Sequence, residues 1–150
     1  MGRRILITGL GTFWGGRLAQ ALELEPDIEV IIGLDTEEPL PAARVTPEVL
    51  ETVIETLVDN SRQAGAGRVD IYARPARPGI ALRIADDGCG IAEADRERIF
   101  EPFFTGRRAA GGTGLGLSIA RSLLAATGGR IAPEPAAKGA VFTLWLPEAS

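Results

Sequence analysis

The chain of 150 residues is long enough for one domain with a substantial core and barely long enough for two. A net charge of −4 without a basic run argues against nucleic acid or a membrane surface as the main partner, and no apolar run approaches the roughly 20 residues that cross a bilayer. One cysteine excludes an intramolecular disulfide, and the absence of histidine excludes a Ser-His-Asp triad, imidazole metal sites and a phosphohistidine within the chain.

The N-terminal segment predicts a strand, a glycine-rich turn, a helix and a second strand. The first strand is the apolar run at residues 4–8, and the second is Glu29–Leu34, which is followed by Asp35. The turn has glycines in a G-x-G-x-x-x-G spacing, and Asp35 stands where a ribose-binding carboxylate follows such a unit. Residues 3–35 therefore resemble the opening of an NAD-dependent epimerase or short-chain dehydrogenase.

This first resemblance implies dinucleotide binding, but the sequence predicts an incomplete site. A dinucleotide-binding domain needs further parallel strands and helices to bury its first β-α-β unit. A Tyr-x-x-x-Lys pair is absent, since the only tyrosine is Tyr72 and the only lysine is Lys138. We therefore expect residues 1–40 to be a truncated Rossmann-like β-α-β fragment that neither binds NAD nor transfers a hydride. An NAD-dependent epimerase or dehydrogenase fragment is the alternative.

A proline-containing linker at residues 36–44 separates this fragment from a predicted amphipathic helix. Thr46 is the expected N-cap and Pro47 the first helical residue. Apolar residues then recur at intervals of three and four as far as Val58, and Asn60 lies near the apolar side. The elements predicted after this helix, in chain order, are a strand at 69–73, a turn at 75–79, a strand at 80–84, a helix at about 115–127 and strands near 130–132 and 140–146.

Four motifs in this second region resemble, in order, the boxes of the GHKL ATPase superfamily and, within it, those of the sensor histidine kinases. They are Leu57-Val58-Asp59-Asn60-Ser61 (N box), Asp86-Asp87-Gly88-Cys89-Gly90-Ile91 (first glycine box), Phe100-Glu101-Pro102-Phe103-Phe104 (F box) and Gly112-Thr113-Gly114-Leu115-Gly116-Leu117 (second glycine box). One glycine motif alone is weak support, whereas four boxes at the expected spacing are specific. The resemblance runs from about Val45 to Pro147.

The resemblance implies a binding site for ATP and Mg²⁺ that is formed by the four boxes. Asn60 is expected to offer its carboxamide oxygen to Mg²⁺, which prefers oxygen ligands. Asp86 is expected to accept a hydrogen bond from the 6-amino group of adenine, where guanine has an acceptor instead. The other residues expected to contact the nucleotide are Gly88, Gly90, Ile91, Phe104, Arg107, Gly112, Thr113, Gly114, Leu115 and Gly116.

The phosphates are expected at the second glycine box. Gly112, Gly114 and Gly116 lie where a loop enters a helix, and the free N–H groups and the helix dipole favour anions there. In related sequences a basic residue near the position of Arg107 contacts the terminal phosphate, so Arg107 is the candidate catalytic residue. The loop at about 100–114 is then expected to close as a lid, anchored by the three phenylalanines of the F box.

Three features depart from the family pattern. Thr56 stands where histidine kinases often have a second asparagine, and Ala140 where related ATPases often place a threonine near the base. Neither change is expected to abolish binding, although both are expected to weaken it. Nothing before Val45 resembles the two-helix dimerisation domain that carries the phosphoacceptor histidine. We therefore expect phosphoryl transfer only in trans, with a histidine-bearing dimerisation domain or a response regulator as the partner. A non-catalytic ATP-binding module is the alternative.

The predicted fold over residues 45–150 is a two-layer α/β sandwich of the GHKL (Bergerat) type, with a mixed, mainly antiparallel sheet and helices on one face. Residues 41–45 are too short for the strand that usually precedes the first helix of this family. We expect Glu29–Leu34, or residues 5–8, to pair with the sheet edge, because their apolar side chains would otherwise be exposed. ATP use and the lack of an export or membrane segment predict a cytoplasmic location.

Overall fold

A computed structural model describes residues 6–7, 29–34, 40–105 and 112–149. Within these ranges six strands form one sheet in the order β1-β2-β3-β4-β6-β5, with two helices packed on one of its faces. The strands are β1 (Leu6–Ile7), β2 (Glu29–Leu34), β3 (Arg68–Pro75), β4 (Gly79–Asp86), β5 (Arg130–Glu134) and β6 (Val141–Pro147). The helices are α1 (Pro47–Gln63) and α2 (Gly116–Ala126), and a 3₁₀ turn spans Glu93–Asp95.

The sheet is mixed and mainly antiparallel, as predicted. Strands β3, β4, β6 and β5 pair antiparallel, whereas β1, β2 and β3 run parallel to one another. Strand β2 is in register with β3 over six residues, so that Val30 lies opposite Val69. The N-terminal strands thus extend the sheet at the β3 edge, which agrees with the expected pairing. The glycine turn and Asp35 of the dinucleotide hypothesis lie outside the described residues.

Helix α1 begins and packs as its sequence predicts. The Thr46 side chain accepts a hydrogen bond from the backbone N–H of Val49 at 3.4 Å, and Pro47 occupies the first turn, where its missing N–H costs nothing. Apolar side chains on one side of the helix are buried against the sheet. These buried residues of α1 are Leu50, Val53, Ile54, Leu57 and Val58.

The core lies between the two helices and alternate residues of β3, β4 and β6. Burial of these side chains is the main favourable term in folding, at roughly 25 cal/mol per Å² of apolar surface. Residues 41–45 contribute one isolated bridge, between Ala43 and Glu148, and no strand, as predicted. Among the described residues, no helix has the length and apolar character needed to cross a membrane.

Candidate functional site

A cavity of about 440 Å³ lies between α1, the start of α2, the F-box turn and the ends of β4 and β6. Its size falls within the range of about 300–1,000 Å³ that is typical of small-molecule pockets. Asn60, Asp86 and Gly114 come from three separate parts of the sequence, and all three line this cavity. The predicted site residues that line it are Asn60, Asp86, Gly90, Ile91, Phe104, Gly112, Thr113, Gly114 and Gly116.

Three predicted site residues are not part of the described lining. Gly88 supports the wall from behind: its N–H donates to Asp86 Oδ1 at 2.9 Å, and an added Cβ would lie 2.9 Å from the Cβ of Ala64. Leu115 is the N-cap residue of α2, and its N–H donates to Thr113 Oγ1 at 3.4 Å. Arg107, the candidate catalytic residue, lies outside the described residues.

The carboxylate of Asp86 is held by hydrogen bonds from three different elements. Its Oδ1 accepts from the N–H groups of Gly88 and Ala140, at 2.9 and 3.0 Å, and its Oδ2 accepts from the hydroxyl of Ser61 at 2.8 Å. The Asp86 backbone also pairs with Ala140, through its N–H to the carbonyl at 2.9 Å. The end of β4 is therefore fixed against both α1 and the start of β6.

Gly139 makes this close approach of two backbones feasible. Its φ of +69° lies in the left-handed region, and an added Cβ would lie 1.7 Å from the carbonyl oxygen of Asp86. A side chain cannot occupy that space without moving the strand ends apart. Sequence alone did not indicate this role, because Gly139 only precedes the strand predicted at 140–146.

Asn60 places an amide at the cavity from the last turns of α1. Its Nδ2 is buried and has no hydrogen-bond partner among the described residues. Because an amide can be turned by half a rotation, this position can hold either the nitrogen or the oxygen. An unpaired buried polar atom costs about 1–3 kcal/mol, so the geometry favours an additional group at this point.

The negative charge of Asp59, the residue before Asn60, is compensated within α1. The carboxylate of Asp59 accepts from Arg62 Nη2 and from Gln63 Nε2, each at 2.6 Å. Within the part of the chain that the structure describes, no group of three or more Asp, Glu, Cys or His side chains could hold a metal. A cation at Asn60 would therefore need most of its ligands from a bound molecule or from water.

The start of α2 is open to an anion. Leu115 makes no side-chain cap to the first N–H groups of the helix, and the first turn has no acidic residue. Gly116, the first helical residue, packs closely against Thr56, since an added Cβ would lie 3.0 Å from the Thr56 methyl. These N–H groups and the positive end of the helix dipole attract negative charge.

The F-box turn is joined to the second glycine box through backbone atoms. The N–H of Phe103 donates to the carbonyl of Gly114 at 2.9 Å, and an added Cβ on Gly114, with φ +69°, would lie 2.5 Å from the carbonyl carbon of Phe103. The two segments that flank residues 106–111 are thus held together.

The prediction that all three phenylalanines anchor this turn is wrong for Phe103. Phe100 is buried and meets the ring of Phe142 edge to face, with the centroids 6.4 Å apart, and Phe104 lines the cavity beneath the guanidinium of Arg98. Phe103 instead is 65% exposed. Its φ of +66° turns the chain so that the side chain leaves the core, which residue type alone does not reveal.

Asp87 fixes the turn that follows Asp86. Its Oδ1 accepts from the N–H groups of Gly67 and Arg68, at 2.9 and 3.0 Å. Burial acts to raise the pKa of Asp87, but these N–H groups and the charge on Lys138 outweigh it, so the pKa lies below its ordinary value. The ionised carboxylate of Asp87 therefore holds the start of β3 against the turn that follows β4.

Several cavity residues were not assigned by the sequence analysis. Gln63 follows Asn60 by three residues, and helical spacing alone could have placed it on the same side of α1. The others required the tertiary fold. The unassigned cavity residues are Asp59, Gln63, Ala64, Ala92, Asp95, Ile99, Thr105, Leu117 and Phe142. Thr56 and Ala140, the two departures from the family pattern, also line the cavity.

The sheet, the helices and the four boxes around one cavity define a nucleotide-binding ATPase domain. Residues 46–150 match the family described as histidine kinase-, DNA gyrase B- and HSP90-like ATPases, and the chain belongs to this family. Among curated proteins it is 34% identical to the two-component sensor PprA of Pseudomonas aeruginosa, over 97% of this chain and 18% of that protein. It is 35% identical to the sensor histidine kinase ZraS of Escherichia coli O157:H7, over 79% of this chain and 26% of that protein.

Solved structures agree with these relatives. The catalytic domain of the histidine kinase ThkA superposes with a TM-score of 0.74 at 26% identity, over 90% of this chain and 94% of that chain. Full-length ShkA, determined in complex with AMPPNP, superposes with a TM-score of 0.72 at 28% identity, over 90% of this chain and 30% of that one. The domain is thus an ATP-binding catalytic domain of the histidine kinase type, and the chain spans about a fifth to a quarter of the length of PprA and ZraS.

Proposed function

We propose that the cavity binds ATP together with Mg²⁺ and that the domain transfers the γ-phosphoryl group to a histidine on a separate partner. The convergence of Asn60, Asp86 and Gly114 on one cavity supports this function more than any other observation. An amide, a strand-end carboxylate and a glycine-lined helix start suit three different parts of a magnesium nucleotide.

Asp86 recognises the base in this proposal. A carboxylate is an acceptor, so it pairs with the 6-amino group of adenine and not with the 6-oxo group of guanine. The three donors that hold the carboxylate keep it in one orientation at the cavity wall. Apolar side chains of Ile91, Ile99 and Phe142 line the same cavity and can contact the faces of the base.

Asn60 and the second glycine box take the metal and the phosphates. The unpartnered amide position of Asn60 fits an oxygen ligand for Mg²⁺, with phosphate and water oxygens completing the shell. Mg²⁺, when bound, neutralises charge on the phosphates. We propose that N–H groups of the second glycine box receive the phosphates and that Arg107 contacts the terminal one.

The acceptor must lie on another chain or domain, because this chain has no histidine. In the proposed reaction the bond between the γ-phosphorus and the β–γ bridging oxygen breaks, a bond from phosphorus to an imidazole nitrogen forms, and ADP leaves. PprA and ZraS are sensor kinases several times longer than this chain, which supports a histidine-bearing dimerisation domain as partner and a response regulator as the next acceptor. ATP use places the reaction in the cytoplasm.

The nucleotide part of the proposal is tested by titration calorimetry with ATP and with NAD, each with and without Mg²⁺. We expect saturable, Mg²⁺-dependent ATP binding and none with NAD. Asp86→Asn should lose most of the ATP affinity, whereas Asp87→Asn removes the same charge one residue away, outside the described cavity lining, and should keep it. Binding of NAD alone would support the dinucleotide alternative and refute the proposal.

The transfer part is tested with γ-labelled ATP and a histidine-bearing dimerisation domain added in trans. Label on that domain, lost when its histidine is replaced, supports phosphoryl transfer. ATP binding without any labelled partner would make the domain a non-catalytic ATP-binding module.

A further inference from the structure

Ser61 contributes a buried hydroxyl next to the base-recognising carboxylate. It follows Asn60 on α1 and is 4% exposed, and among the described residues only Ser61 and Thr143 are buried polar side chains. Its Oγ lies 2.8 Å from Asp86 Oδ2 and 3.0 Å from the carbonyl oxygen of Leu57. The family resemblance assigns no role to this side chain.

The single hydroxyl hydrogen decides between these two acceptors. Serine can donate only one hydrogen bond at a time, and a carboxylate is a stronger acceptor than a backbone carbonyl. The Leu57 carbonyl already accepts within the helix, whereas the Ser61 hydroxyl is the described donor to Asp86 Oδ2. The hydroxyl of Ser61 therefore donates to Asp86.

The hydrogen bond from Ser61 leaves part of the Asp86 carboxylate available to a ligand. A carboxylate offers about four lone-pair positions, two on each oxygen. The N–H groups of Gly88 and Ala140 occupy Oδ1, and Ser61 occupies one position on Oδ2. One position on Oδ2 remains. The described cavity lining includes Asp86 and not Ser61, so the hydroxyl approaches from the helix side and the remaining position belongs to the cavity.

We infer that Ser61 is a positioning residue that sets base specificity: its hydroxyl fixes the Asp86 carboxylate so that one acceptor position on Oδ2 meets the 6-amino group of the purine. The inference rests on the proposed function, because it takes Asp86 as the group that reads the base. Without the hydroxyl, both positions on Oδ2 are open to water and the carboxylate can rotate. A 6-oxo purine can then be accommodated through a bridging water, and discrimination falls.

The test compares Mg²⁺-ATP with Mg²⁺-inosine triphosphate, which carries a 6-oxo group in place of the 6-amino group. Titration calorimetry on the full chain gives the dissociation constant of each nucleotide. The dissociation constant of inosine triphosphate divided by that of ATP measures base discrimination. Ser61→Ala should lower this ratio by about tenfold, the size expected for the loss of one hydrogen bond to a charged group. Alanine suits a helix, and the thermal midpoint without nucleotide reports whether the fold is kept.

Thr143→Ala is the matched control. Thr143 is equally buried, but its hydroxyl donates to Glu134 and it is not part of the described cavity lining. Its removal should leave the ratio within about twofold of the wild-type value, since it breaks no contact of Asp86. A role of Ser61 in folding alone would shift the thermal midpoint of Ser61→Ala and leave the ratio unchanged.

Ser61→Cys keeps nearly the same shape and has only a weak donor, so it replaces the alanine variant if that variant is insoluble. A lowered ratio in either variant supports the inference. An unchanged ratio in folded Ser61→Ala, or in folded Ser61→Cys where the alanine variant is insoluble, overturns it while leaving ATP binding intact. Failure of the wild-type chain to bind ATP overturns the proposed function as well, so the two failures are distinguishable.

Discussion

Replacing Asn60 by leucine should make the protein more stable and, at the same time, unable to bind magnesium nucleotide. The amide of Asn60 has a buried atom without a partner among the described residues. Leucine has nearly the same shape as asparagine and carries no polar atom. The variant therefore removes an unsatisfied group without leaving a large cavity.

The magnitude follows from the cost of that unpaired atom. An unsatisfied buried donor costs about 1–3 kcal/mol, so Asn60→Leu should raise the free energy of unfolding by about 1–2 kcal/mol. In the wild-type protein, ATP at 100 times its dissociation constant should add about 2.7 kcal/mol, and this increment should vanish in the variant. Stability without ligand and stabilisation by ligand thus change in opposite directions.

Urea unfolding with and without Mg²⁺-ATP measures both quantities. Gln63→Leu is the control, because Gln63 is an exposed amide one turn further along α1 whose Nε2 donates to Asp59 at 2.6 Å. Its replacement loses a hydrogen bond and should not stabilise the protein. If Asn60→Leu is less stable than the wild type, the amide is already satisfied in the free protein, and the argument for a ligand at this position is refuted.

Three further substitutions test the backbone and charge features of the site. Gly139→Ala should lower the free energy of unfolding in urea by at least about 3 kcal/mol, because the added Cβ meets the Asp86 carbonyl. Gly65→Ala, with φ +72° and open space around it, should lower it by only about 1 kcal/mol, and equal losses in the two variants would contradict the steric argument. Asp87 has a pKa below its ordinary value of 3.8 in the folded state, so its stabilising effect is present above that pH and is lost as the pH falls through the folded pKa. The urea midpoint of Asp87→Asn should be lower than that of the wild type at pH 7, and the gap should narrow as the pH falls below 3.8; a gap that does not narrow would contradict this. Phe103→Asn should leave the thermal midpoint unchanged or slightly raised, because asparagine tolerates a positive φ better than phenylalanine does and the ring of Phe103 is exposed. A clear loss of stability would show that the ring packs in the free protein.

Features that depend on local sequence were predictable. The N-cap Thr46, the buried side of α1 and the approximate bounds of four strands follow from capping and periodicity, and the structure has them within a few residues. The four boxes were found because their spacing is specific, and most of their assigned residues meet at the cavity. The pairing of residues 29–34 with the sheet edge followed from the need to protect apolar strands.

Features that depend on long-range contact were not predictable. The bond from Ser61 to Asp86 joins residues 25 positions apart, and neither residue type indicates it. Gly139 is required by a strand end that arrives from 53 residues earlier in the sequence, as the numbers of the two residues show. The exposed position of Phe103 is set by one backbone torsion, whereas hydrophobicity alone predicts burial.

The two ends of the cavity differ in how they are supported. The Asp86 end is held by hydrogen bonds from Ser61 of α1, from the turn after β4 and from the residue before β6, and α1, β4 and β6 all contribute side chains to the core. The Gly114 end, where we propose that the phosphates bind, is joined to the F-box turn by the hydrogen bond between Phe103 and Gly114. Breaking a core-supported end costs much of the total stability, whereas opening the other end disturbs few buried contacts. Under the proposed function, we therefore expect a nucleotide to enter and leave at the Gly114 end while the Asp86 end stays formed.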